Sequence, residues 1–404
     1  MKIERKSTPF GSKKSKITGV LLTMLAFAVL VGGAYNIMIP KTVSCFVGDE
    51  IPSYLGTTFE ETEGAESASG SLVNFSQGQY KLFGAIPVRS VTVAKLEDVK
   101  VYVGGVPFGI KFFTRGATVV GFENEAENPA YRAGLRLYDT IIKVNGKDFS
   151  GATELSRTAE SGKEIEIVYL RAGKEFTVKF APKYSQNEKK YTLGLLLKDT
   201  GAGIGTLTFV LPDGTFGGLG HGICDAETGD LTAIGSGSVL GVTVNGIVKG
   251  QRGAPGELKG YFNSSKVGAI YKNTDCGIFG SLAEIPGAIS GKTYSIGLKN
   301  ELKEGEATIL CTLDDNVRCE YKVEISAINR GATGNKCFTV KIVDERLLAA
   351  TGGIVQGMSG SPIIQNGKLV GAVTHVLVND PTTGYGIFIE NMLTQMAAPV
   401  PRAA

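Results

Sequence analysis

The alternation of apolar and polar positions divides the chain into an apolar N-terminal run, a polar stretch and a long strand-rich remainder. Residues 17–40 read "ITGVLLTMLAFAVLVGGAYNIMIP", 24 residues without a charge. Residues 56–79 are polar and poor in aliphatic side chains, a composition typical of a linker. From Pro87 onward apolar and polar residues alternate, which predicts β-strands. The segment 41–99 is therefore expected to be a linker with a strand-rich lead-in.

The apolar run has the length of a membrane helix, because roughly 20 apolar residues span a bilayer. The alternative is a signal sequence, with the small residues that end at Ala34 as its cleavage site. Residues 1–16 carry six basic side chains and one acidic one, a net charge of +5. Such a basic tail is retained in the cytoplasm, which predicts that the chain after Lys41 lies outside it.

A short helix, a strand and two tight turns are predicted between residues 126 and 183. Pro129 begins the helix and Gly134 ends it. The strand "DTIIKV" then leads into an Asn145-Gly146 turn, and a second hairpin turns at Ala172-Gly173.

The run 100–183 resembles a PDZ domain in three short motifs. These are Ala133-Gly134-Leu135, Tyr138-Asp139-Thr140-Ile141, in which Tyr138 replaces the usual glycine, and Val144-Asn145-Gly146. The resemblance implies a domain that binds a peptide, a C-terminus or a segment of its own chain, by strand addition. Its binding loop would comprise Phe108, Gly109, Ile110 and Lys111; the alternative is that these four residues simply begin a strand.

From Tyr191 to the end, short apolar strands are separated by glycine-containing turns about every ten residues. This spacing predicts a β-barrel or sandwich rather than alternating strands and helices. Only residues 344–350 and 389–397 have a helical pattern. Because the whole chain carries +3 and its first 16 residues +5, the remainder carries −2. That balance argues against a nucleic-acid partner.

The cysteines and histidines do not have the spacing of a metal site. The six cysteines contain no C-x-x-C pair, and the chain has only two histidines. No metal or other cofactor is expected. Cys311 and Cys319 could form a disulfide in an oxidising compartment; the alternative is that all six are buried thiols.

The scarcity of histidine narrows the choice of a general base, since histidine titrates near neutral pH. His221 follows a strand in the glycine-rich stretch "GGLGHGICD" and is the predicted base. His375 alternates with Val373 and Leu377 along a strand. It is predicted to be structural or to line a substrate cleft.

Two serines in "GMSGSP" compete for the role of nucleophile. Ser361 precedes Pro362, which favours an extended conformation and places Ser361 in the following strand. Ser359 lies in a turn after Gly357, where backbone N–H groups can converge on one point as an oxyanion hole requires. Ser359 is the predicted nucleophile; the alternative is a glycine-rich turn that leads into a hairpin.

This hexapeptide is similar to the "GDSGGP" box of chymotrypsin-like serine peptidases, with Met358 in place of the acid. The resemblance implies a double β-barrel with Ser359 as nucleophile and an oxyanion hole formed by the amides of Gly357 and Ser359. It also implies that Thr374, His375 and Val376 line the substrate cleft. Met358 implies that no buried acid holds a new N-terminus.

The combination of anchor, PDZ motifs, "GHGICD" and the stretch around Ser359 resembles the stage IV sporulation protein B family. These are serine peptidases of endospore formers, exported from the forespore into the intermembrane space. The resemblance implies cleavage of a membrane-bound regulator of an intramembrane metalloprotease that processes a late sigma factor. It also implies self-cleavage.

The carboxylate that would orient the base has several candidates. The family resemblance points to Asp344, which also stands where the N-cap of a short helix belongs. Asp225, four residues after His221, is its main rival. The other candidates are Asp230, Asp275, Asp314 and Asp315.

The sequence as a whole predicts a mainly β protein with an N-terminal membrane helix. A PDZ domain is expected over 100–183 and a chymotrypsin-like serine peptidase domain over 184–404, with His221, Asp344 and Ser359 as catalytic residues. One alternative is a non-catalytic PDZ scaffold with a degenerate barrel. Another is a cysteine peptidase that uses Cys224, three residues from His221.

Overall fold

The computed structural model describes residues 13–63 and 72–398. It confirms the predicted fold class, because the chain is mainly β, with 52% strand, 14% helix and one N-terminal apolar helix. The chain divides into two compact units, Met1–Glu97 and Asp98–Ala404.

The first unit contains one helix and a four-stranded sheet. Helix α1 spans Lys13–Met38, and its segment Val20–Met38 is long and apolar enough to cross a membrane. Both a membrane anchor and a signal sequence have this length and composition. The strands are β1 (Thr42–Phe46), β2 (Thr57–Glu63), β3 (Val73–Leu82) and β4 (Ile86–Leu96), in the order β1-β4-β3-β2.

The segment 56–79 was predicted to be a linker, whereas the structure forms β2 and part of β3 there. Tyr80 of β3 is fully buried, and the ring of Phe59 on β2 packs against it with 5.2 Å between ring centroids. The Tyr80 hydroxyl donates to the Pro52 carbonyl at 2.6 Å. Cross-strand aromatic packing thus outweighs the polar composition. Residues 64–71, which belong to the same predicted linker, lie outside the described residues.

The second unit begins with a region that has the predicted helix, strand and turn positions. Its elements are β5 (Lys100–Val103), β6 (Pro107–Phe122), a 3₁₀ turn (Glu125–Glu127), α2 (Pro129–Ala133), β7 (Thr140–Val144), β8 (Lys147–Asp148), α3 (Ala152–Ala159), β9 (Ile165–Arg171) and β10 (Lys174–Phe180).

Local chemistry sets the boundaries of α2 in this region. The Asn128 side chain caps the helix by accepting from the N–H groups of Ala130 and Tyr131. Gly134 ends it with φ of 117°, in the left-handed region. A core of aliphatic side chains lies beneath, including Leu135, Ile141, Leu155, Ile165 and Ile167.

The remainder of the second unit is strand-rich and contains the two predicted helices. Its elements are β11 (Lys183–Ser185), β12 (Lys190–Thr192), β13 (Leu195–Val210), β14 (Thr215–Gly218), β15 (Ile234–Val248), β16 (Glu257–Thr274), β17 (Gly277–Leu282), β18 (Thr293–Ile296), β19 (Gly305–Thr312), β20 (Arg318–Ser326), β21 (Phe338–Ile342), α4 (Glu345–Thr351), β22 (Pro362–Gln365), β23 (Lys368–Leu377), β24 (Asp380–Phe388) and α5 (Ile389–Ala397).

Strand β6 joins the PDZ-like region to β13 and β15 of the strand-rich remainder. Near its C-terminal end, Ala117 pairs with Ile141 of β7. Nearer its N-terminal end, Ile110 pairs with Gly203 of β13 on one edge and with Val239 of β15 on the other. Because one continuous strand serves both regions, a movement of one is expected to be transmitted to the other.

A buried carboxylate stabilises the PDZ-like region. Asp139 has a side chain only 1% exposed and accepts two hydrogen bonds of 2.7 Å from the Arg171 guanidinium. It also accepts from the N–H of Arg136 at 2.7 Å. This bidentate geometry fixes the turn before β7 to the end of β9.

Arg171→Leu is expected to lower the free energy of unfolding by roughly 2–4 kcal/mol, because it leaves a buried carboxylate without its cation. Denaturant unfolding would measure the change. The matched control is Arg157→Leu, which removes an exposed pair with Glu154 and should cost less than about 1 kcal/mol. Equal losses in the two variants would show that the Asp139 pair contributes nothing beyond a surface contact.

Candidate active site

Ser359 lies in a tight turn between α4 and β22 that only glycine can complete. Gly357 and Gly360 have φ of 97° and 95°. A Cβ atom at Gly360 would lie 2.1 Å from the carbonyl oxygen of Thr206. The turn therefore needs glycine both for its backbone angles and for its close approach to β13.

The carbonyls of this turn are hydrogen-bonded, whereas two of its N–H groups are not. The Gln356 carbonyl accepts from Leu258 N–H at 2.8 Å, and the Met358 carbonyl accepts from Ser361 N–H at 2.9 Å. In the described part of the chain, the N–H groups of Gly357 and Ser359 donate to no other group. These are the two amides predicted to form the oxyanion hole.

The paired carbonyls determine where the two free amides point. All described peptide bonds are trans, so the C=O and N–H of one peptide point in opposite directions. Holding the carbonyls of Gln356 and Met358 therefore orients the N–H groups of Gly357 and Ser359. Free amides that are held in place before a substrate binds are what stabilisation of an oxyanion requires.

His221 follows β14 on a loop with unusual backbone angles. Leu219 and Gly220 have φ of 65° and 69°. A Cβ atom at Gly220 would lie 2.9 Å from the Thr374 methyl group, so glycine permits this loop to pack closely on β23. The loop thereby brings the histidine to β23, the second strand after the serine turn.

The His221 ring is half-buried and is oriented by the backbone. Its Nδ1 lies 2.8 Å from the Gly222 carbonyl oxygen. If Nδ1 carries the proton and donates it to that carbonyl, Nε2 is left as the acceptor. Burial lowers the pKa of His221, and the Gly222 carbonyl partly opposes this shift. The imidazole is therefore neutral at pH 7, as a general base must be.

Ser359, His221 and Gly357 line one cavity of about 240 Å³. Apolar side chains of Ile110, Phe112 and other residues form its remaining walls. Ser359 Oγ donates to the Thr374 carbonyl at 2.8 Å. The hydroxyl must therefore turn away from Thr374 before it can donate its proton to His221.

His375 and its neighbours on β23 lie beside this pair. The His375 and His221 ring centroids are 4.8 Å apart. Burial, followed by the charges of His221 and Lys336, lowers the pKa of His375 to about 4. Among the described residues its Nδ1 has no hydrogen-bond partner. Thr374 is buried, and Val376 pairs with Gly384 of β24. The predicted role of Thr374, His375 and Val376 in substrate binding stays a prediction.

Ser361 is placed differently from Ser359. It is fully buried, its N–H donates to Met358, and its carbonyl accepts from Val373 at 2.9 Å. In this position the hydroxyl faces the protein interior instead of the cavity. The difference agrees with the assignment that Pro362 suggested.

Asp344 does not join His221 in this structure. It caps α4 by accepting from Arg346 N–H at 3.0 Å, and its other oxygen accepts from Lys322 N–H at 3.2 Å. The Arg346 guanidinium bonds both carboxylate oxygens and holds the pKa of Asp344 well below its usual range. The structure thus supports the alternative role of N-cap, because all of these contacts engage the carboxylate elsewhere.

Asp225, the main rival, is also engaged elsewhere. Its Oδ1 accepts from the N–H groups of Glu227 and Thr228, and Lys198 forms an ion pair with its other oxygen at 3.3 Å. In residues 13–63 and 72–398, no carboxylate is hydrogen-bonded to His221. The Gly222 carbonyl is the group that contacts Nδ1.

The predicted peptide-binding loop, Phe108 to Lys111, lies near the N-terminal end of β6. Lys111 pairs with Ala202 of β13 and with Ser238 of β15. Because both edges of β6 are paired from Gly109 to Lys111, these three residues have no free edge to which a peptide strand could add. Ile110 instead lines the cavity beside Ser359.

Cys224 is exposed, and its thiol is a poor nucleophile in this setting. Burial of the sulfur and the charges of Asp275 and Asp230 raise its pKa. A raised pKa reduces the thiolate fraction on which cysteine catalysis depends. All six cysteines are free thiols, although Cys311 and Cys319 lie directly opposite each other on β19 and β20.

Two polar residues that position the site were missed by sequence reasoning. Asn273 of β16 accepts from Ile223 N–H and donates to the carbonyls of Ile223 and Thr232, at 2.8–2.9 Å. Thr206 of β13 bonds the serine turn. No local motif indicates either role, because their partners lie 50 and 151 residues away in the sequence.

The described residues contain no group of three or more His, Cys, Asp or Glu side chains that could hold a metal ion. The candidate site consists of a serine, two neighbouring histidines and backbone amides. This set of groups suits acyl transfer by a serine nucleophile.

Comparison with protein families gives one match. The model of the family described as SpoIVB peptidase S55 matches residues 189–393. No curated protein matches the chain significantly.

Solved structures that are similar to parts of the chain include a PDZ domain and two forms of one protease. The PDZ domain of an SdrC-like protein from Listeria monocytogenes is 20% identical, with 20% of this chain and 87% of that one covered and a TM-score of 0.19. The Rv3671c protease in an inactive form is 14% identical, with 48% and 83% covered and a TM-score of 0.26. An inactive mutant of Rv3671c from M. tuberculosis H37Rv is also 14% identical, with 48% and 80% covered and a TM-score of 0.25. With scores below 0.5, these similarities do not establish a shared function.

Asp344→Ala is expected to destabilise the protein by about 1–2 kcal/mol, because it removes the α4 cap. Asp344→Asn retains a capping oxygen and should cost less. Since the pKa of Asp344 is lowered in the fold, the carboxylate stabilises the protein above about pH 4 and loses this effect as the pH falls further. Thermal unfolding of wild type and both variants from pH 7 to pH 3 would measure the loss of stability and its dependence on pH.

The same two variants test the triad hypothesis. If Asp344 acts only as the cap, turnover per folded molecule should be similar in Asp344→Asn and wild type. Loss of turnover in Asp344→Asn at an unchanged melting temperature would instead show that Asp344 acts with His221 in catalysis.

Proposed function

The chain belongs to the SpoIVB peptidase S55 family, and from this membership we propose that it is a serine endopeptidase with Ser359 as nucleophile and His221 as general base. The observation that carries the proposal is the single cavity lined by Ser359, His221 and Gly357. Two unpaired amides, those of Gly357 and Ser359, lie in the same turn.

The first step is the release of the serine hydroxyl from the Thr374 carbonyl. Ser359 Oγ then turns to His221, whose Nε2 takes the proton as the oxygen attacks the peptide carbonyl. The Thr374 carbonyl becomes free to accept an N–H from the substrate backbone. Substrate binding and activation of the nucleophile are thereby linked through one acceptor.

The amides of Gly357 and Ser359 donate to the oxyanion that develops on the substrate carbonyl. Preorganised donors of this kind contribute roughly 3–4 kcal/mol each to the stabilisation of the transition state. The His221 imidazolium returns its proton to the leaving amine, and the C–N bond breaks. Water, deprotonated by His221, then hydrolyses the acyl-enzyme and restores the Ser359 hydroxyl.

The cavity beside the nucleophile favours an apolar substrate side chain. Its lining includes Ile110, Phe112, Ile204, Leu219 and Ile223, and none of its lining residues carries a fixed charge. A charged side chain would lose its hydration there without gaining a counter-ion. Identification of the cleaved bonds by mass spectrometry would test this preference.

The biological substrate and setting are proposed from the family resemblance. The substrate would be a membrane-bound regulator of an intramembrane metalloprotease, and its cleavage would promote sigma-factor processing during sporulation. The apolar segment Val20–Met38 suits an enzyme held at the membrane. The bulk of the chain would be exported from the forespore into the intermembrane space, where self-cleavage and control through the PDZ-like region would operate.

Two alternatives lead to different outcomes. In a non-catalytic scaffold, the PDZ-like region would bind a partner and the serine turn would be inert. The paired edges of β6 at residues 109–111 weaken that alternative, because no peptide strand can add there. A cysteine peptidase based on Cys224 is disfavoured by the raised pKa of its thiol.

Ser359→Ala is expected to reduce peptide cleavage at least 1,000-fold, because removal of a catalytic serine can lower kcat by roughly a millionfold. Mass spectrometry of products from the full chain in detergent, including its own cleaved fragments, would measure this. Ser361→Ala is the matched control: it removes a buried hydroxyl of the same turn and should retain activity if the protein folds. Equal cleavage by wild type and Ser359→Ala would rule out the proposed mechanism.

The acid limb of the pH–rate profile should have its midpoint below 6.5, because burial lowers the pKa of His221. Protonated His221 cannot accept the serine proton, so kcat/KM should fall as pH decreases through that midpoint. The lowered pKa values of both histidines also make the fold less stable below about pH 6.5, so rates need correction for the folded fraction.

The His375→Phe variant shows which of the two histidines gives rise to the acid limb of the pH–rate profile. The substitution preserves an aromatic ring next to His221, so the midpoint should stay within about 0.5 pH units even if the rate changes. A large shift of the midpoint would assign the limb to His375.

A further inference from the structure

Thr206 of β13 is the point at which three segments of the active site meet. It is 3% exposed, and each of its polar groups is hydrogen-bonded within the protein. Its Oγ1 donates to the Gly357 carbonyl at 2.7 Å, and its N–H donates to the Ser359 carbonyl at 3.0 Å. Its own carbonyl accepts from Leu219 N–H at 3.2 Å, two residues before His221.

The two donated bonds hold the peptides on either side of the Ser359 amide. The Gly357 carbonyl belongs to the peptide before Met358, and the Ser359 carbonyl belongs to the peptide that continues to Gly360. The N–H groups of those peptides are also bound, by Val355 and Val373 respectively. With both neighbours fixed, the peptide between Met358 and Ser359 has little freedom to rotate, and its N–H keeps its direction.

The accepted bond connects the turn to the base loop. Leu219 adopts φ of 65°, which is unusual for a leucine and must be maintained by its surroundings. The bond to Thr206 is one such restraint. Through a single residue, the loop that carries His221 and the turn that carries Ser359 therefore share a common anchor.

The location of Thr206 in a strand does not by itself explain why the residue is a threonine. Valine would fill nearly the same space and suits a strand equally well. Only the hydroxyl distinguishes the two, and here it satisfies a carbonyl of the nucleophile turn. Two residues later, Thr208 donates in the same way to the Gly360 carbonyl at 2.8 Å.

We propose that Thr206 is a positioning residue for the catalytic reaction, holding the oxyanion-hole amides and the His221 loop in register. This inference rests on the proposed serine mechanism. Thr206 touches neither the substrate nor the reacting atoms. It acts through Gly357, Ser359 and Leu219.

The test measures the reactivity of Ser359 without requiring knowledge of the natural substrate. A fluorophosphonate probe reacts with an activated serine and places an oxygen where the oxyanion forms. Labelling of the full chain in detergent is expected to be about 10- to 100-fold slower for Thr206→Val, because a misaligned oxyanion donor costs roughly that or more. Thr206→Ser keeps the hydroxyl and should label within about threefold of wild type.

Thr312→Val is the matched control for stability. Thr312 is buried, and its hydroxyl donates to the Gly105 carbonyl at 2.8 Å, a contact of the same kind outside the catalytic cavity. Both Thr→Val variants should lower the melting temperature by a similar amount. Only Thr206→Val should slow the labelling.

The outcomes distinguish this inference from the proposed function. If Thr206→Val labels at the wild-type rate, or if Thr312→Val slows labelling equally, Thr206 is not a positioning residue. If Ser359→Ala labels as well as wild type, the serine mechanism itself fails. If Thr206→Val does not fold, Thr206→Ser and Thr206→Cys replace it, because cysteine places a weaker donor at the same position. Slower labelling of Thr206→Cys than of Thr206→Ser supports the inference. Equal labelling rates overturn it.

Discussion

The active site depends on a turn whose carbonyl groups are all bonded while two of its amides are left free. Unpaired N–H groups in a partly buried turn are unfavourable, and the chain would relieve them by rotating its peptides. Rotation is prevented because Leu258 and Ser361 hold the carbonyls opposite the two amides, and Thr206 holds the carbonyls of the neighbouring peptides. Donors from β13 and β16 lie far from the turn in sequence, so the turn has this conformation only within the folded sheet.

The same principle applies to the base. The imidazole of His221 is oriented by the carbonyl of the next residue, and Asn273 holds the loop on both sides of Ile223. The Gly222 carbonyl here takes the position that the sequence suggested for a carboxylate. Burial lowers the pKa values of both histidines, and the charges of His221 and Lys336 lower that of His375 further. A neutral imidazole next to a second neutral imidazole is the expected state at pH 7.

Strand β6 gives the PDZ-like region a structural connection to this site. Its residues near Ala117 belong to the PDZ-like core, while Ile110 and Phe112 form part of the catalytic cavity wall. A ligand that shifts the PDZ-like region would therefore act on the cavity through a covalently continuous, doubly paired strand. The expected peptide-binding segment is already paired with β13 and β15. A peptide that controls the enzyme through the PDZ-like region would therefore have to bind another surface of that region.

The sequence by itself determined the features that depend on local chemistry. Proline before the strand separated Ser361 from Ser359, glycines marked the serine turn, and Asn-Gly and Ala-Gly pairs located the hairpins. The scarcity of histidine selected His221, which the structure places with Ser359 in one cavity. Tertiary structure decided between the two roles of Asp344 in favour of the α4 cap with Arg346, and it alone decided that residues 109–111 are paired on both edges and that Thr206 and Asn273 hold the site. Each of these outcomes depends on hydrogen bonds between strands distant in sequence or on competition between nearby partners, and neither periodicity nor motif spacing encodes which partner will be in reach.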